Sequence, residues 1–73
     1  MEKEFKHKDG NIKVTQDEDY IVVNPTGKEE TITVDNTQPK ESIIKEVENK
    51  LNKIYAGSPA VVKEFIKWLD EVV

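Results

Sequence analysis

The chain contains no cysteine, and this absence excludes disulfides, iron–sulfur clusters and thiol chemistry. It has a single histidine, His7, which excludes a histidine-rich zinc site. All eleven basic residues are lysine. Arginine, the usual residue for bidentate recognition of carboxylate, phosphate and guanine, is therefore missing. Stability has to come from packing and local conformational preference alone.

Long apolar runs are also missing. The longest are short, such as residues 20–23, and none approaches the roughly 20 residues of a membrane-spanning helix. Residues 1–6 contain no apolar segment of the kind found in signal peptides. We therefore expect a cytoplasmic protein, or cytosolic recombinant expression if the chain is designed.

Size and charge narrow the class of protein further. With 73 residues the chain is predicted to form one domain, residues 1–73, with a small core. Its formal net charge of −4 disfavours nucleic-acid binding, which usually needs a basic domain. We expect a monomer that needs no cofactor or metal.

The first half of the sequence alternates as β-strands do, which predicts strands at residues 3–8, 11–16, 19–24 and 30–35. Asp9-Gly10 is a strong two-residue hairpin signal, and it predicts Phe5 opposite Val14 and Lys6 opposite Lys13. A turn at Asp17-Glu18 would place Val14 opposite Ile21. The longer loop around Pro25 and Gly27 would place Ile32 opposite Ile21. One face of the sheet then carries most of the apolar residues: Phe5, Ile12, Val14, Ile21, Val23, Ile32 and Val34.

The second half has the 3.6-residue period of two amphipathic helices, predicted at residues 38–56 and 59–72. Thr37 or Gln38 is the predicted N-cap of the first helix, with Pro39 in its first turn. Gly57, Ser58 and Pro59 in succession predict a helix stop, an N-cap and a first helical residue. The predicted fold class is α+β, a four-stranded antiparallel meander (ββββαα) with both helices on one face.

No residue set in the sequence predicts catalysis, so we expect no enzyme activity. Asp17-Glu18-Asp19 lacks the ligand spacing and glycine of a calcium loop, and reads as a solvated turn. His7 has no visible partner for general-base chemistry. Ser42 and Ser58 lack the motif of a nucleophile elbow. Trp68 lies at the margin of the helical apolar stripe, where it covers the core or anchors a partner.

The outer face of the predicted sheet is the one candidate surface. It would group Lys6, Lys8 and Lys13 beside Tyr20 and Val22, which resembles a platform for single-stranded nucleic acid. The same lysines have a structural explanation, because lysine on an edge strand prevents edge-to-edge pairing. We predict no nucleic-acid partner, and we keep Lys6, Lys8, Lys13 and Tyr20 as the alternative.

Two resemblances bear on origin. Residues 21–53, with Thr26-Gly27-Lys28 and Thr31-Ile32-Thr33-Val34, are similar to the hairpin and helix that open ubiquitin-like β-grasp domains. No further strand pattern follows the helices, so membership of that family is not predicted. Asp9-Gly10, Gly57-Ser58-Pro59 and the strict apolar patterning resemble de novo designed mini-proteins, which implies a stable scaffold without natural function. The alternative is a small acidic natural module, of phage or mobile-element type, that blocks a protein partner.

Overall fold

The computed structural model describes all 73 residues, with four β-strands followed by two α-helices. The strands are β1 (Glu2–Phe5), β2 (Ile12–Gln16), β3 (Tyr20–Pro25) and β4 (Ile32–Asp35). The helices are α1 (Lys40–Ile54) and α2 (Pro59–Val72). The strands form one antiparallel sheet in the order β1-β2-β3-β4, so the predicted α+β meander followed by two helices is confirmed.

One face of the sheet is apolar and is covered by both helices. The inner-face residues of β2, β3 and β4 are at most 4% exposed: Ile12, Val14, Ile21, Val23, Ile32 and Val34. The helices bury eight residues against them: Ile43, Val47, Leu51, Tyr55, Val61, Val62, Phe65 and Leu69. Phe5 is half-buried on the edge strand, where its ring meets the ring of Phe65 edge-on at 5.4 Å between centroids. The predicted inner face is therefore the core of the protein.

All three predicted hairpin registers are wrong by two residues. Phe5 pairs with Ile12 rather than with Val14. Val23 pairs with both Val14 and Ile32, the two residues predicted opposite Ile21. Because side chains alternate with a period of two, a shift of two residues returns each one to the same face. The core is unaffected, but the neighbours on the outer face all change.

The first turn is centred on Lys8 and Asp9 instead of Asp9-Gly10. The Gly10 N–H donates to the His7 carbonyl oxygen at 3.1 Å, which closes the turn around these two residues. No residue other than glycine has a positive φ, which excludes the type I′ turn expected from Asp9-Gly10. Gly10, with φ +157°, lies against Tyr55, and a Cβ here would be 3.3 Å from the Tyr55 hydroxyl. This packing places the glycine after the turn.

The second turn is centred on Glu18 and Asp19, one residue later than predicted, because the Asp17 side chain organises it. The Oδ1 of Asp17 accepts the N–H groups of Asp19 at 2.8 Å and Tyr20 at 2.7 Å. The Asp17 N–H donates to the Tyr20 carbonyl oxygen at 3.0 Å. Aspartate commonly bonds the backbone two residues on in this way, so it occupies the first position of the turn.

Pro25 is the buried last residue of β3, although the sequence placed it in a loop. The Thr26 N–H donates to the Asn11 carbonyl oxygen on the β2 side, so the Pro25 nitrogen faces the β4 side. The pairing of β3 with β4 extends only as far as Val23 opposite Ile32, so the missing N–H of Pro25 leaves no bond of the ladder unmade. The turn comes next, with the Lys28 N–H bonded to the Pro25 carbonyl and Gly27 at φ +82°.

Several predicted boundaries shift as a consequence. Strand β1 ends at Phe5, whereas residue 8 was predicted, and β4 begins at Ile32, whereas residue 30 was predicted. Helix α1 spans Lys40–Ile54 instead of residues 38–56, while α2 spans Pro59–Val72 as predicted.

The predicted N-cap of α1 and the predicted stop at Gly57 are wrong, whereas the N-cap position Ser58 and the first residue Pro59 of α2 are confirmed. Pro39 is the N-cap of α1, without a side-chain cap, because Thr37 donates to the Asp35 carboxylate instead. Gly57 has no positive φ, so it does not form the predicted left-handed helix stop, and the Ser58 N–H bonds the Tyr55 carbonyl. Ser58 occupies the N-cap of α2, but its side chain makes no capping bond.

The register can be tested by reversing one charge on β1. Glu4 lies opposite Lys13, so Glu4→Lys would oppose two lysines. We expect the free energy of unfolding to fall by about 0.2–1 kcal/mol, measured by urea denaturation at low salt. Glu2→Lys is the matched control, because it changes the same charge on the same strand opposite Thr15. Equal effects of the two substitutions would contradict the observed register.

Candidate functional site

His7 forms the closest polar contact between the sheet and the helices. Its Nε2 lies 2.6 Å from Oε2 of Glu64 in α2, and its Nδ1 accepts the Asp9 N–H at 3.0 Å. With Nδ1 as acceptor, Nε2 carries the proton and donates to the Glu64 carboxylate. Both ring nitrogens are therefore occupied, and neither is free to take a proton from a substrate. This pair ties the first turn to α2.

The serines are not brought near this pair. Ser42 lies exposed in the first turn of α1, and Ser58 precedes α2. The hydrogen bonds of the His7 ring go to the Glu64 carboxylate and the Asp9 N–H, and neither goes to a serine. No serine therefore has the base that a nucleophile needs.

The acidic turn uses its first carboxylate to bind its own backbone. The pKa of Asp17 is lowered, mainly because the carboxylate accepts the N–H of Tyr20 and then that of Asp19. The pKa of Asp35 is lowered in the same way by the hydroxyl and N–H of Thr37. No group of three or more histidine, aspartate or glutamate side chains is placed to hold a metal ion.

The predicted lysine cluster on the outer face is wrong. Lys6 and Lys8 lie beyond the end of β1, in the turn region, and only Lys13 lies on the sheet. Lys13 pairs with Asn24, and Tyr20 lies four residues further back along β3, or about 13 Å at 3.3 Å per residue. Tyr20 is 52% exposed but pairs with Asp35, an acid. The four candidate residues do not form one basic platform.

Trp68 covers the core at its edge. Its ring centroid lies 5.4 Å from that of Phe5 on β1 and 5.6 Å from that of Phe65 on its own helix. The His7 ring also stacks on Phe5, with the centroids 6.1 Å and the ring planes 18° apart. These aromatic contacts dock β1 onto α2, which is the structural alternative predicted for Trp68.

The largest surface groove, about 790 Å³, runs between the start of α1 and the end of α2. Ile44 and Ile66 are its only apolar lining residues. Lys40 and Asp70 pair across it at 3.4 Å. No polar residue of the chain is buried, so the groove lacks the convergent buried polar groups typical of ligand sites.

Sequence reasoning missed Tyr55, which is the one unusual polar group of the core. The residue is 5% exposed, and its hydroxyl is the only buried side-chain polar atom without a hydrogen-bond partner. Burial raises the pKa of Tyr55 above its ordinary value of 10.0. Lys28 lies over the ring, with Nζ 5.2 Å from the centroid. No base or hydrogen-bond acceptor contacts the Tyr55 hydroxyl, so we assign Tyr55 a structural role.

Charge is divided unevenly between the two halves of the chain. Residues 40–73, which contain both helices, have six lysines and six carboxylates, so they are neutral. Residues 1–39 have five lysines and nine carboxylates, and they carry the entire net charge of −4. The acidic character of the protein therefore belongs to its strands and their turns.

Comparison of the chain with protein-family models, with curated proteins and with solved structures finds no match. No helix is long and apolar enough to cross a membrane. The site geometry is therefore the only basis for a functional proposal.

Removal of the Tyr55 hydroxyl should stabilise the protein. Because an unpartnered buried hydroxyl costs on the order of 1–3 kcal/mol, we expect Tyr55→Phe to raise the free energy of unfolding by about 1 kcal/mol. Urea denaturation at neutral pH measures this change. Tyr20→Phe, at an exposed hydroxyl, is the control and should have little effect.

The same variant should change the response to alkaline pH. A raised pKa means that the folded state holds the Tyr55 proton more tightly than the unfolded state. The resulting stability is complete below pH 10.0 and is lost as pH rises through the raised pKa. Tyr55→Phe should remove this loss of stability at alkaline pH. If Tyr55→Phe destabilised the protein at neutral pH, that result would contradict the assignment of an unpartnered hydroxyl.

Proposed function

We propose that this chain is a stable small scaffold, a designed protein whose folding is its only task. The observation that supports the proposal is the composition of the buried set. Fifteen residues are buried, and none of them is polar or charged. Catalytic and ligand sites depend on convergent, partly buried polar groups with altered pKa values. This core contains no such group apart from the Tyr55 hydroxyl.

Local chemistry that agrees with the fold supports the same proposal. The apolar residues of β2 and β4 lie on the covered face, Tyr20 and Val22 being the exceptions on β3, and the turns at Asp17 and Gly27 have residues that suit them. Consistency between pattern, turn and packing is the criterion of idealised designs. In an enzyme or a ligand-binding protein, these rules are broken where the site is built. In this chain, the positions that break them do not bring reactive side chains together.

A thermal melt tests the scaffold proposal. Idealised designs are hyperstable, so we expect reversible unfolding above about 90 °C, followed by far-ultraviolet circular dichroism. A midpoint of about 45–65 °C, the range of ordinary mesophilic domains, would contradict the proposal.

The uneven charge favours a second candidate function, an acidic module that blocks a basic protein partner. The strand half carries the whole net charge, and its outer sheet face exposes Glu2, Glu4 and Asp35 with Lys13 as the one basic residue. A surface of one sign attracts a partner of the opposite sign and speeds association. This function also needs no catalytic group.

A charge-matched pair of variants tests the second function. A specific partner should bind at low salt and be released near 1 M salt, where the screening length falls to about 3 Å. The triple variant Glu2→Gln, Glu4→Gln and Asp35→Asn, which keeps the Oδ1 atom that accepts from Thr37, should weaken capture. The control variant Glu41→Gln, Glu48→Gln and Glu71→Gln removes the same charge from the helices and should bind normally. Equal loss in both variants would contradict a strand-side surface.

A further inference from the structure

The two edges of the sheet are built differently. The β1 edge contains Glu2, Lys3 and Glu4, and Lys3 is an exposed lysine at an inward-facing position opposite Val14. Inward-pointing charge on an edge strand is a known device against strand addition. The β4 edge has the sequence Ile-Thr-Val-Asp, with no lysine, proline or bulge. One edge is protected and the other is open.

The hydrogen-bond alternation shows which β4 groups face outward. The Asn36 N–H donates to the Asp19 carbonyl oxygen at 2.9 Å, so position 36 is bonded to the β3 side. In an antiparallel pair such positions alternate, so Ile32 and Val34 also bond β3. The N–H and C=O groups of Thr33 and Asp35 therefore point away from the sheet.

The surroundings of this edge are acidic. Glu29 and Glu30 precede β4 and share a groove with Lys28 and Lys53, whereas Asp35 ends the strand beside the acidic turn, whose Asp17 and Asp19 carbonyls bond Asn36. Glu29, Glu30 and Asp35 are all exposed. The Asp35 carboxylate also keeps a lowered pKa, so it stays charged at neutral pH. Carboxylates outnumber lysines along this edge, most clearly at its Asp35 end, so an added strand would lie in a net negative field.

We propose that the β4 edge binds an extended basic segment of a partner protein by strand addition. The inference rests on the second candidate function, an acidic module with a basic partner, and it assigns the place and geometry of binding. Backbone groups of Thr33 and Asp35 supply the hydrogen bonds, as in other cases where a peptide extends a sheet. The surrounding carboxylates select for lysine or arginine.

The geometry also defines the pattern of the partner segment. Residues bonded to Thr33 and Asp35 have side chains on the outer face, beside the side chains of those residues. Intervening residues point to the inner side, beside Ile32 and Val34. The segment should therefore alternate basic and apolar residues. A second copy of β4 fits poorly, because it would bring the same excess of carboxylates to an edge that is already net negative.

A short synthetic peptide can serve as the probe. The blocked peptide Lys-Val-Lys-Val-Lys-Val-Lys, added to isotopically labelled protein at low salt, should shift the amide resonances of Thr33 and Asp35 and slow their hydrogen exchange. Methylation of the backbone nitrogens of the lysines removes the N–H groups that face β4, so we expect at least tenfold weaker binding. Methylation of the backbone nitrogens of the valines preserves the charge and blocks only the peptide edge that faces away from β4, so it should leave binding unchanged.

Variants of the protein give an independent measurement. Thr33→Pro removes one outward N–H from β4 and should abolish binding, whereas Glu4→Pro removes the equivalent outward N–H from β1 and should not. Proline is tolerated at such edge positions, and circular dichroism checks the fold of both. The double variant Glu29→Gln and Glu30→Gln keeps the backbone, and it should weaken binding about two- to tenfold, as expected for two surface ion pairs.

The outcomes distinguish failure of the β4 binding site from failure of the acidic-module function. Peptide binding that is insensitive to lysine N-methylation, or that shifts residues of the outer face or β1, would overturn the edge site and leave the acidic module intact. Absence of binding by every peptide at low salt would overturn both. Dimerisation through β4 without peptide would overturn the choice of partner.

Discussion

Burial of a single face of the sheet is the constraint on which the rest of the structure depends. Two helices cover one side only, so each strand must keep its apolar residues at alternate positions. A slip of one residue in any strand would turn those residues to water and expose the core. A slip of two residues costs no burial. Hydrophobic burial therefore determines the facing of each strand and leaves the register to the turns.

This division explains what could be predicted from the sequence. The order of elements and the inner face follow from periodicity, and both are observed. The registers depend on contacts that periodicity does not contain, such as the Asp17 carboxylate bonded to backbone N–H groups and Gly10 packed against Tyr55. The pairing of His7 with Glu64 spans 57 residues, and no local pattern signals it.

The register also decides the chemistry of the surface. A shift of two residues replaces Lys6 by Glu4 as the neighbour of Lys13, so an expected pair of like charges becomes a pair of opposite charges. The basic platform is lost by the same shift. The acidic strand half and the neutral helical half then stand out as the main electrostatic feature, and the β4 edge lies within the acidic half.

The contacts of β1 with α2 have a consequence for local opening. The meander pairs strands that are neighbours in sequence, whereas the contact of His7 with Glu64 joins residues 57 positions apart. Closing so long a loop has a large entropic cost, and the side chains of this contact are only partly buried, so local opening releases it early. Trp68, the only tryptophan, lies in that contact against Phe5. Its fluorescence therefore reports the docking of the edge strand together with the packing of the core residue Phe65.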